Sequence, residues 1–471
     1  MQWHRSMRSL AVLVSLVCAP IALRAQGFGV NEIGTCATSR AFAVTGSPCK
    51  DASVIFWNPG AAATLKGWNV LAGGALIQLD AKFTQDTTFR EFEGDNPLAF
   101  VPHVFVNYKP DSGFFSLNGK AAWGLGVYVP YGLTSQWTDS FPGRFLAKRA
   151  DLRTVYIQPN VAYQLNDKWF VGGGPVIGIS SVELVQSLDL SQQVASGAIT
   201  FAQLGIAKRT EFARARLNGD NFAAFGAQIG VFGKPNADWT VGLRFLTPLE
   251  FDYEGATATF TQVPTNLVLP PNNPIAPGST VQIDQLVAPQ FAAGGRLVDQ
   301  GVSTKITHPA QIQAGFGYNG FKDWILSADY VWVGWRRFKE LPIEFLGPAN
   351  VSNRALIEDY NNTSAIRLAA QRQFTGGAQV RLGFSGVASA APDETVTPLL
   401  PEQDRAYITI GGEYPFMKKY AVEAGYLHAY SPGKRGRIDE RANRGQTGLQ
   451  LNTGKYDLSA NVLSISLKAN F

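Results

Sequence analysis

The chain has 471 residues and a formal charge of +5, with 16% charged and 12% aromatic residues. Without Arg5, Arg8 and Arg24 the charge falls to about +2, too little for a nucleic-acid-binding footprint. No stretch approaches the roughly 20 consecutive apolar residues of a transmembrane helix. The four histidines lack metal-ligand spacing, and neither a Gly-x-Ser-x-Gly elbow nor a phosphate-binding glycine loop occurs, so no metal, cofactor or enzyme reading is supported.

At the N-terminus, Arg5 and Arg8 precede an apolar run from Leu10 to Leu23. That run is too short to span a bilayer and fits a secretory signal peptide over residues 1–25, so the mature chain would start Gln26-Gly27-Phe28. Residues 26–67 do not alternate and are rich in small residues. Their apolar Phe42, Val44, Ile55 and Phe56 and their two cysteines argue against a disordered tail, and about 40 residues are too few for an independent domain. A plug inside a larger structure is expected. Cys36 and Cys49, an even pair in an exported protein, suggest a disulfide whose closure would contribute roughly 3 kcal/mol; two separate buried thiols are the alternative.

From residue 68 onward, alternation and turn signals predict fourteen strands. They cover 68–79, 99–109, 121–131, 152–165, 168–184, 220–233 and 238–254, then 308–319, 322–336, 363–373, 376–388, 404–415, 419–431 and 458–471. The connections alternate in length. Those after even-numbered strands are mostly short, as at Asn166-Asp167, whereas those after odd-numbered strands are long, as at 185–219 and 255–307. Short and long connections in an even-stranded chain give the topology of an all-β outer-membrane barrel over 68–471, with the short turns and termini periplasmic. Trp68, Trp123, Trp169, Trp239, Trp324, Trp332 and Trp335 fall near strand ends, where aromatic girdles sit.

The last strand alternates to its final residue: Leu463, Ile465, Leu467, Ala469 and Phe471 take one face, and Ser464, Ser466, Lys468 and Asn470 the other. It would close against the first strand near Trp68 with its apolar face against outer-membrane lipid. Phe471 is the expected signal to the barrel-assembly machinery, and a monomer is expected. Glycine clusters such as Gly172-Gly173-Gly174 and Gly411-Gly412 read as room for tight curvature or for the plug.

Gly27-Phe28, Asn31-Glu32, Ser39-Arg40-Ala41-Phe42, Asp51-Ala52-Ser53 and Asn58-Pro59-Gly60 resemble the start of FadL-type long-chain fatty acid transporters. The likeness continues through Tyr131-Gly132-Leu133, Ala162-Tyr163-Gln164-Leu165 and Arg405. Gly60 stands where the family has Ala. The resemblance implies a fourteen-stranded barrel with an N-terminal hatch, carrying hydrophobic molecules such as fatty acids or, as in TodX-type channels, aromatic hydrocarbons. It implies a hatch containing Asn31, Glu32, Asp51, Asn58, Pro59 and Gly60, a lumenal site lined by Phe28, and a wall gap near Pro130, Tyr131 and Gly132. Proline lacks an N–H and can interrupt pairing there; a strand that simply ends at Pro130 is equally compatible.

Two further sets of residues follow from patterning. Apolar residues of the third outer loop (Leu184, Leu188, Phe201, Leu204) and the fourth (Leu267, Leu269, Leu286) could form a capture groove or pack the loops onto each other. Arg244, Arg367 and Arg381 point inward by alternation and could meet a carboxylate head, or pair with Glu32 and Asp51 of the hatch. The function expected is passive, hatch-gated uptake with sideways exit. The alternative is a structural or adhesive barrel that binds a partner through its loops.

Overall fold

The computed structural model describes residues 27–349, 353–441 and 443–471; the expected signal peptide lies outside them. Fourteen antiparallel strands form the wall. The first seven are β1 (Gly67–Gln85), β2 (Ala99–Lys109), β3 (Ala121–Gln136), β4 (Arg149–Gln164), β5 (Trp169–Asp189), β6 (Glu211–Gly233) and β7 (Trp239–Leu246). The rest are β8 (Gln311–Tyr318), β9 (Trp324–Val333), β10 (Thr363–Gln373), β11 (Gln379–Val387), β12 (Arg405–Met417), β13 (Tyr420–Tyr430) and β14 (Gly454–Asn470). Each pairs with its sequence neighbours. The barrel closes where β14 runs beside β1, from Asn69 opposite Asn470 to Gln85 opposite Gly454. Trp68 and Phe471 exchange backbone hydrogen bonds of 3.0 and 2.9 Å, so the chain ends in register. A closed ladder leaves no edge for lipid to strand without partners.

The two faces of the wall follow the alternation. Leu463, Ile465 and Leu467 are exposed, while Ser464 and Ser466 are buried. Trp68, Trp123, Trp169, Trp239 and Trp324 are exposed near the periplasmic turns, as a girdle requires. Trp335 is not part of a girdle, because it is fully buried. Beyond Val333 the chain leaves the wall at Gly334 and coils inward as a short 3-10 turn, Trp335–Arg337.

Several strands run farther outward than patterning suggests, with β1 reaching Gln85, β3 Gln136 and β5 Asp189. Their outer ends face solvent, so their polar residues give no lipid-facing alternation to read. The seventh and eighth strands are shorter than expected. Pro248 lies just past Leu246 and Pro309 just before Gln311, and neither can donate to a ladder. Beyond this paired break, Leu249–Asp252 and Lys305–His308 form a separate two-stranded ribbon. Its Leu249, Phe251 and His308 are buried, so the ribbon bends toward the lumen.

Ahead of β1, residues 27–66 pack against the inward faces of the wall. This inner segment holds two single-turn helices, α1 (Thr35–Thr38) and α2 (Val54–Trp57), and a 3-10 stretch, Pro59–Thr64. The Cys36–Cys49 disulfide joins it internally. Polar wall groups hold it all round. Asp329 of β9 accepts from the Thr45 and Gly46 amides, Gln228 of β6 donates to the Ile55 and Phe56 carbonyls, and Thr409 of β12 donates to Ser39. Thr35 Oγ1 lies 2.7 Å from both the Ser464 and Ser466 hydroxyls of β14. Asn58 donates to the carbonyls of Thr45 and of Val231 in β6.

The fit is close as well as bonded. A Cβ on Gly172 would lie 2.5 Å from the Pro59 carbonyl oxygen, and one on Gly411 2.4 Å from the Ser39 Cβ. The same contact explains Gly60, where an alanine Cβ would come within 2.8 Å of the Gly230 carbonyl oxygen. At Gly242 of β7 a Cβ would stand 2.0 Å from the Thr45 carbonyl oxygen. Gly242→Ala must therefore displace either wall or inner segment, costing about 1–3 kcal/mol. Its thermal unfolding midpoint should drop below wild type, while Gly255→Ala, where a Cβ meets nothing within 4 Å, leaves it unchanged.

Candidate functional site

Besides the paired end of β7 and β8 at Pro248 and Pro309, the wall is interrupted between β2 and β3. Pairing of β2 with β3 runs from Asn107–Tyr108 to His103 opposite Tyr128 and stops there. Beyond Tyr128, β3 neither ends nor rejoins β2. It slips register against β4 between Tyr128 and Tyr131, the interval that contains Pro130, and continues beside β4 to Gln136. Residues 99–102 of β2 are left pairing with β1 alone. A bridge between Gly94 and Trp137, with Asp95 N–H donating to the Gln136 carbonyl, bounds the break on its outer side. Leu98 and Phe100 are exposed beside it.

The N-terminal end of the inner segment fills this break from inside. Gly29 bridges Tyr131 as an antiparallel pair. Val30 N–H donates to the Pro130 carbonyl at 2.9 Å and Gly132 N–H to the Phe28 carbonyl at 3.1 Å. Residues 28–30 thus replace β2 as the neighbour of β3 and satisfy backbone groups that the break would orphan. Phe28, Pro130, Tyr131 and Gly132 are brought together here.

Phe28 sits in an aromatic box. Its ring meets Trp335 at 4.7 Å, Phe338 at 5.5 Å, His308 at 5.8 Å and Tyr131 at 6.0 Å, all edge-on. Edge-to-face packing of this kind adds about 0.5–1.5 kcal/mol per pair beyond burial. Tyr156 reaches the His308 Nδ1 at 2.9 Å, and Tyr131 accepts from Gln311 at 2.8 Å. Trp335 Nε1, Tyr360 Oη and His308 Nε2 are buried with no hydrogen-bond partner among the described residues. Gly27 anchors the segment's start: its N–H donates to Glu402 Oε1 at 2.9 Å, and Glu402 pairs with Arg405 at 2.6 Å. Burial raises the Glu402 carboxyl, an effect Arg405 opposes.

The three inward arginines are all buried, and they differ in their partners. Arg381 is neutralised by Glu413 and Glu423 of the wall, at 2.9 and 3.0 Å. Arg367 donates to the Phe42 carbonyl and to Asn31 Oδ1, with its guanidinium over the rings of Phe42 and Trp57. Arg244 donates to Gln311 and Gln228 and lies 4.2 Å over the Phe56 ring. None forms an ion pair with Glu32 or Asp51; instead Glu32 accepts from the Asn31 amide and Asp51 from the Ser53 amide. Arg244 and Arg367 are therefore buried cations held largely by neutral acceptors.

The third and fourth outer loops pack onto each other. Phe201 and Leu269 are buried in a cluster with Leu190, Phe212, Ile283 and Val287, and Leu188, Leu204 and Leu286 pack against it. Leu267 remains exposed. Leu184 faces elsewhere, into a small apolar crevice of about 50 Å³ shared with Leu146, Leu217, Ile343 and Leu399. Sequence patterning missed Trp335, Tyr360, His308 and Glu402. The only local signal was the Pro248/Pro309 pair, which marks where the wall turns inward to carry His308 to the box.

The N-terminal strand should be sensitive at Gly27. Its φ is +58°, and a Cβ there would lie 2.5 Å from the Trp335 ring. Gly27→Ala is expected to unseat residues 28–30, so that hydrogen exchange at the Val30 and Gly132 amides speeds up by about tenfold or more. Unchanged exchange at both would contradict this placement.

Comparison with known proteins agrees with the architecture. The family model described as outer membrane protein transport protein (OMPP1/FadL/TodX) matches residues 16–471. A long-chain fatty acid transport protein of Salmonella typhi is 24% identical over 432 residues, covering 90% of this chain and 92% of the relative. Outer membrane protein P1 of Haemophilus influenzae is 22% identical over 98% of both chains. Among solved structures, a Pseudomonas aeruginosa FadL homologue superposes with a TM-score of 0.76 at 19% identity, covering 95% of this chain and all of the other. The Pseudomonas putida toluene transporter TodX gives 0.63 at 16% identity over 92% of this chain and 98% of its own. The chain belongs to the OMPP1/FadL/TodX family of outer membrane transport proteins.

Proposed function

We propose that this protein takes up amphipathic hydrophobic molecules, long-chain fatty acids foremost, by passive diffusion. The observation that carries this reading is the break between β2 and β3, stopped from inside by three residues whose Phe28 occupies an aromatic box. A solute that displaces Phe28 gains a ring-lined apolar pocket, and its departure sideways leads through the break into the membrane. Burying each CH₂ of an acyl chain contributes about 0.8 kcal/mol, so a long chain can outcompete one phenylalanine.

The inner segment acts as a hatch that stays in place while its N-terminal strand moves. Its bonds to at least four wall strands and its close packing at wall glycines favour a fixed body. Residues 28–30 hold β3 by two backbone bonds, and their movement is the smaller change.

Unpartnered donors favour a solute with a polar head. Trp335 Nε1 and Tyr360 Oη belong to rings 6.0 Å apart, and Trp335 touches Phe28. A carboxylate brought there would accept from donors that are otherwise unsatisfied.

Purified protein in liposomes should accelerate uptake of a fluorescent long-chain fatty acid without ATP. A rate equal to that of protein-free vesicles would overturn the proposal. Trp335→Phe keeps the ring and removes the N–H, so it should lower fatty acid affinity by about tenfold while leaving affinity for the matching alkane unchanged. Equal losses for both would assign Trp335 to packing alone.

A further inference from the structure

The outward face of β3–β6 carries a second feature, outside the lumen and above the apolar belt. On β4 the outward positions Val155, Ile157, Pro159, Val161 and Tyr163 are apolar, whereas Arg149, Asp151 and Arg153 above them are charged. The neighbouring strands change at the same level. Ile179 of β5 lies opposite Val155, followed outward by Ser181 and Glu183. On β6, Phe225 faces lipid below, and Asn218, Arg216 and Arg214 follow above. This row marks where hydrocarbon gives way to headgroups.

Directly above that row is a cleft of about 410 Å³. Lys148, Arg149, Arg214 and Arg216 line it with the hydroxyl-bearing Thr259 and Thr261, and Glu183 is its one carboxylate. Arg153 stands beside it with its side chain 74% exposed. Six cations including Arg144 surround it with five carboxylates, Asp139, Asp151, Glu183, Glu211 and Asp95, the last accepting from the lining Gln136. Asp220 lies one row lower on β6, opposite Ser181 at the apolar boundary.

Glu183 is shared by Arg149 and Arg216, and Asp139 by Lys148 and Arg214. Arg149 also bonds Asp151 and Arg214 also bonds Glu211, yet a guanidinium has five N–H groups and an ammonium three, so each cation keeps donors beyond these pairs. Exposed ion pairs of this kind contribute little to stability. A phosphate offers a stronger, bidentate acceptor for the same guanidiniums.

We infer that this cleft binds the phosphorylated headgroup of an outer-leaflet lipid, a phosphorylated glucosamine lipid of the lipid A type. Two independent observations meet in it: a concave surface lined by four cations, and a height at which lipid phosphates lie while their acyl chains run down the apolar face of β4–β6. A soluble anion would need only the first. This site is separate from the aromatic box and independent of the solute that the lumen carries.

The test uses the full mature chain in nanodiscs, incubated with diphosphoryl or monophosphoryl lipid A and read by native mass spectrometry. The diphosphoryl form should be retained about tenfold more than the monophosphoryl form, with retention falling as salt rises from about 0.1 to about 0.5 M. The triple variant Arg153→Ser, Arg214→Ser, Arg216→Ser should lose most of that retention while keeping the heat-dependent gel mobility of a folded barrel. Equal retention of the two lipids by wild type, or full retention by the folded variant, would overturn the inference. Displacement of the lipid by millimolar inorganic phosphate would identify a free-phosphate site and overturn the lipid assignment. If the triple variant fails to fold, the wild-type comparison of the two lipids alone still decides.

Discussion

Hydrocarbon offers no hydrogen-bond partner, so every backbone group of a membrane-spanning wall must be satisfied by the protein itself. A break in such a wall can exist only if something else pairs with the exposed strand. Here that something is the chain's own N-terminal end. Phe28 and Val30 supply to β3 the carbonyl and amide that β2 no longer provides. Phe28 also carries the ring that fills the box behind the break. Closure of the wall and occupation of the pocket are thus one contact, and under the proposed function a solute that took the pocket would weaken the seal.

The remainder of the molecule keeps that contact local. Wall glycines let the inner segment approach backbone to backbone, and buried polar side chains from several strands hold it in one register. Arg381 with Glu413 and Glu423 stiffens the wall itself. From the outer side, the inward-bent ribbon and Trp335 bring rings from distant parts of the chain around Phe28. A rigid frame of this kind concentrates movement in the few residues that hold the break closed.

Much of the frame was legible from local pattern. The alternation ending at Phe471 and the unequal connections give fourteen closed strands, because lipid on one side and lumen on the other impose a period of two. The cysteine pair and the inward direction of Arg244, Arg367 and Arg381 were legible for the same kind of reason. The box was not. Trp335 reads as a girdle residue because it follows a lipid-facing strand, and only the turn at Gly334 sends it inward. The partners of the arginines were equally hidden, since pairing across a lumen depends on which strands face each other. Patterning left two readings open at Pro130; β3 continues past it beside β4, with residues 28–30 on its other side. The outer-loop residues were recognisable as apolar, but whether Phe201 and Leu269 face solvent or each other is set by how two loops meet.

The central claim is that the N-terminal strand moves and the body of the hatch does not. Two engineered disulfides compare these directly in a liposome uptake assay. One joins Gly29→Cys to Tyr131→Cys, a directly opposed pair whose flanking backbone bonds bring the side chains close. The other joins Thr35→Cys to Ser464→Cys, whose hydroxyls are 2.7 Å apart. Oxidation should stop uptake in the first variant, reversibly on reduction, and leave the second near its reduced rate. Loss of uptake in the second with none in the first would contradict the account.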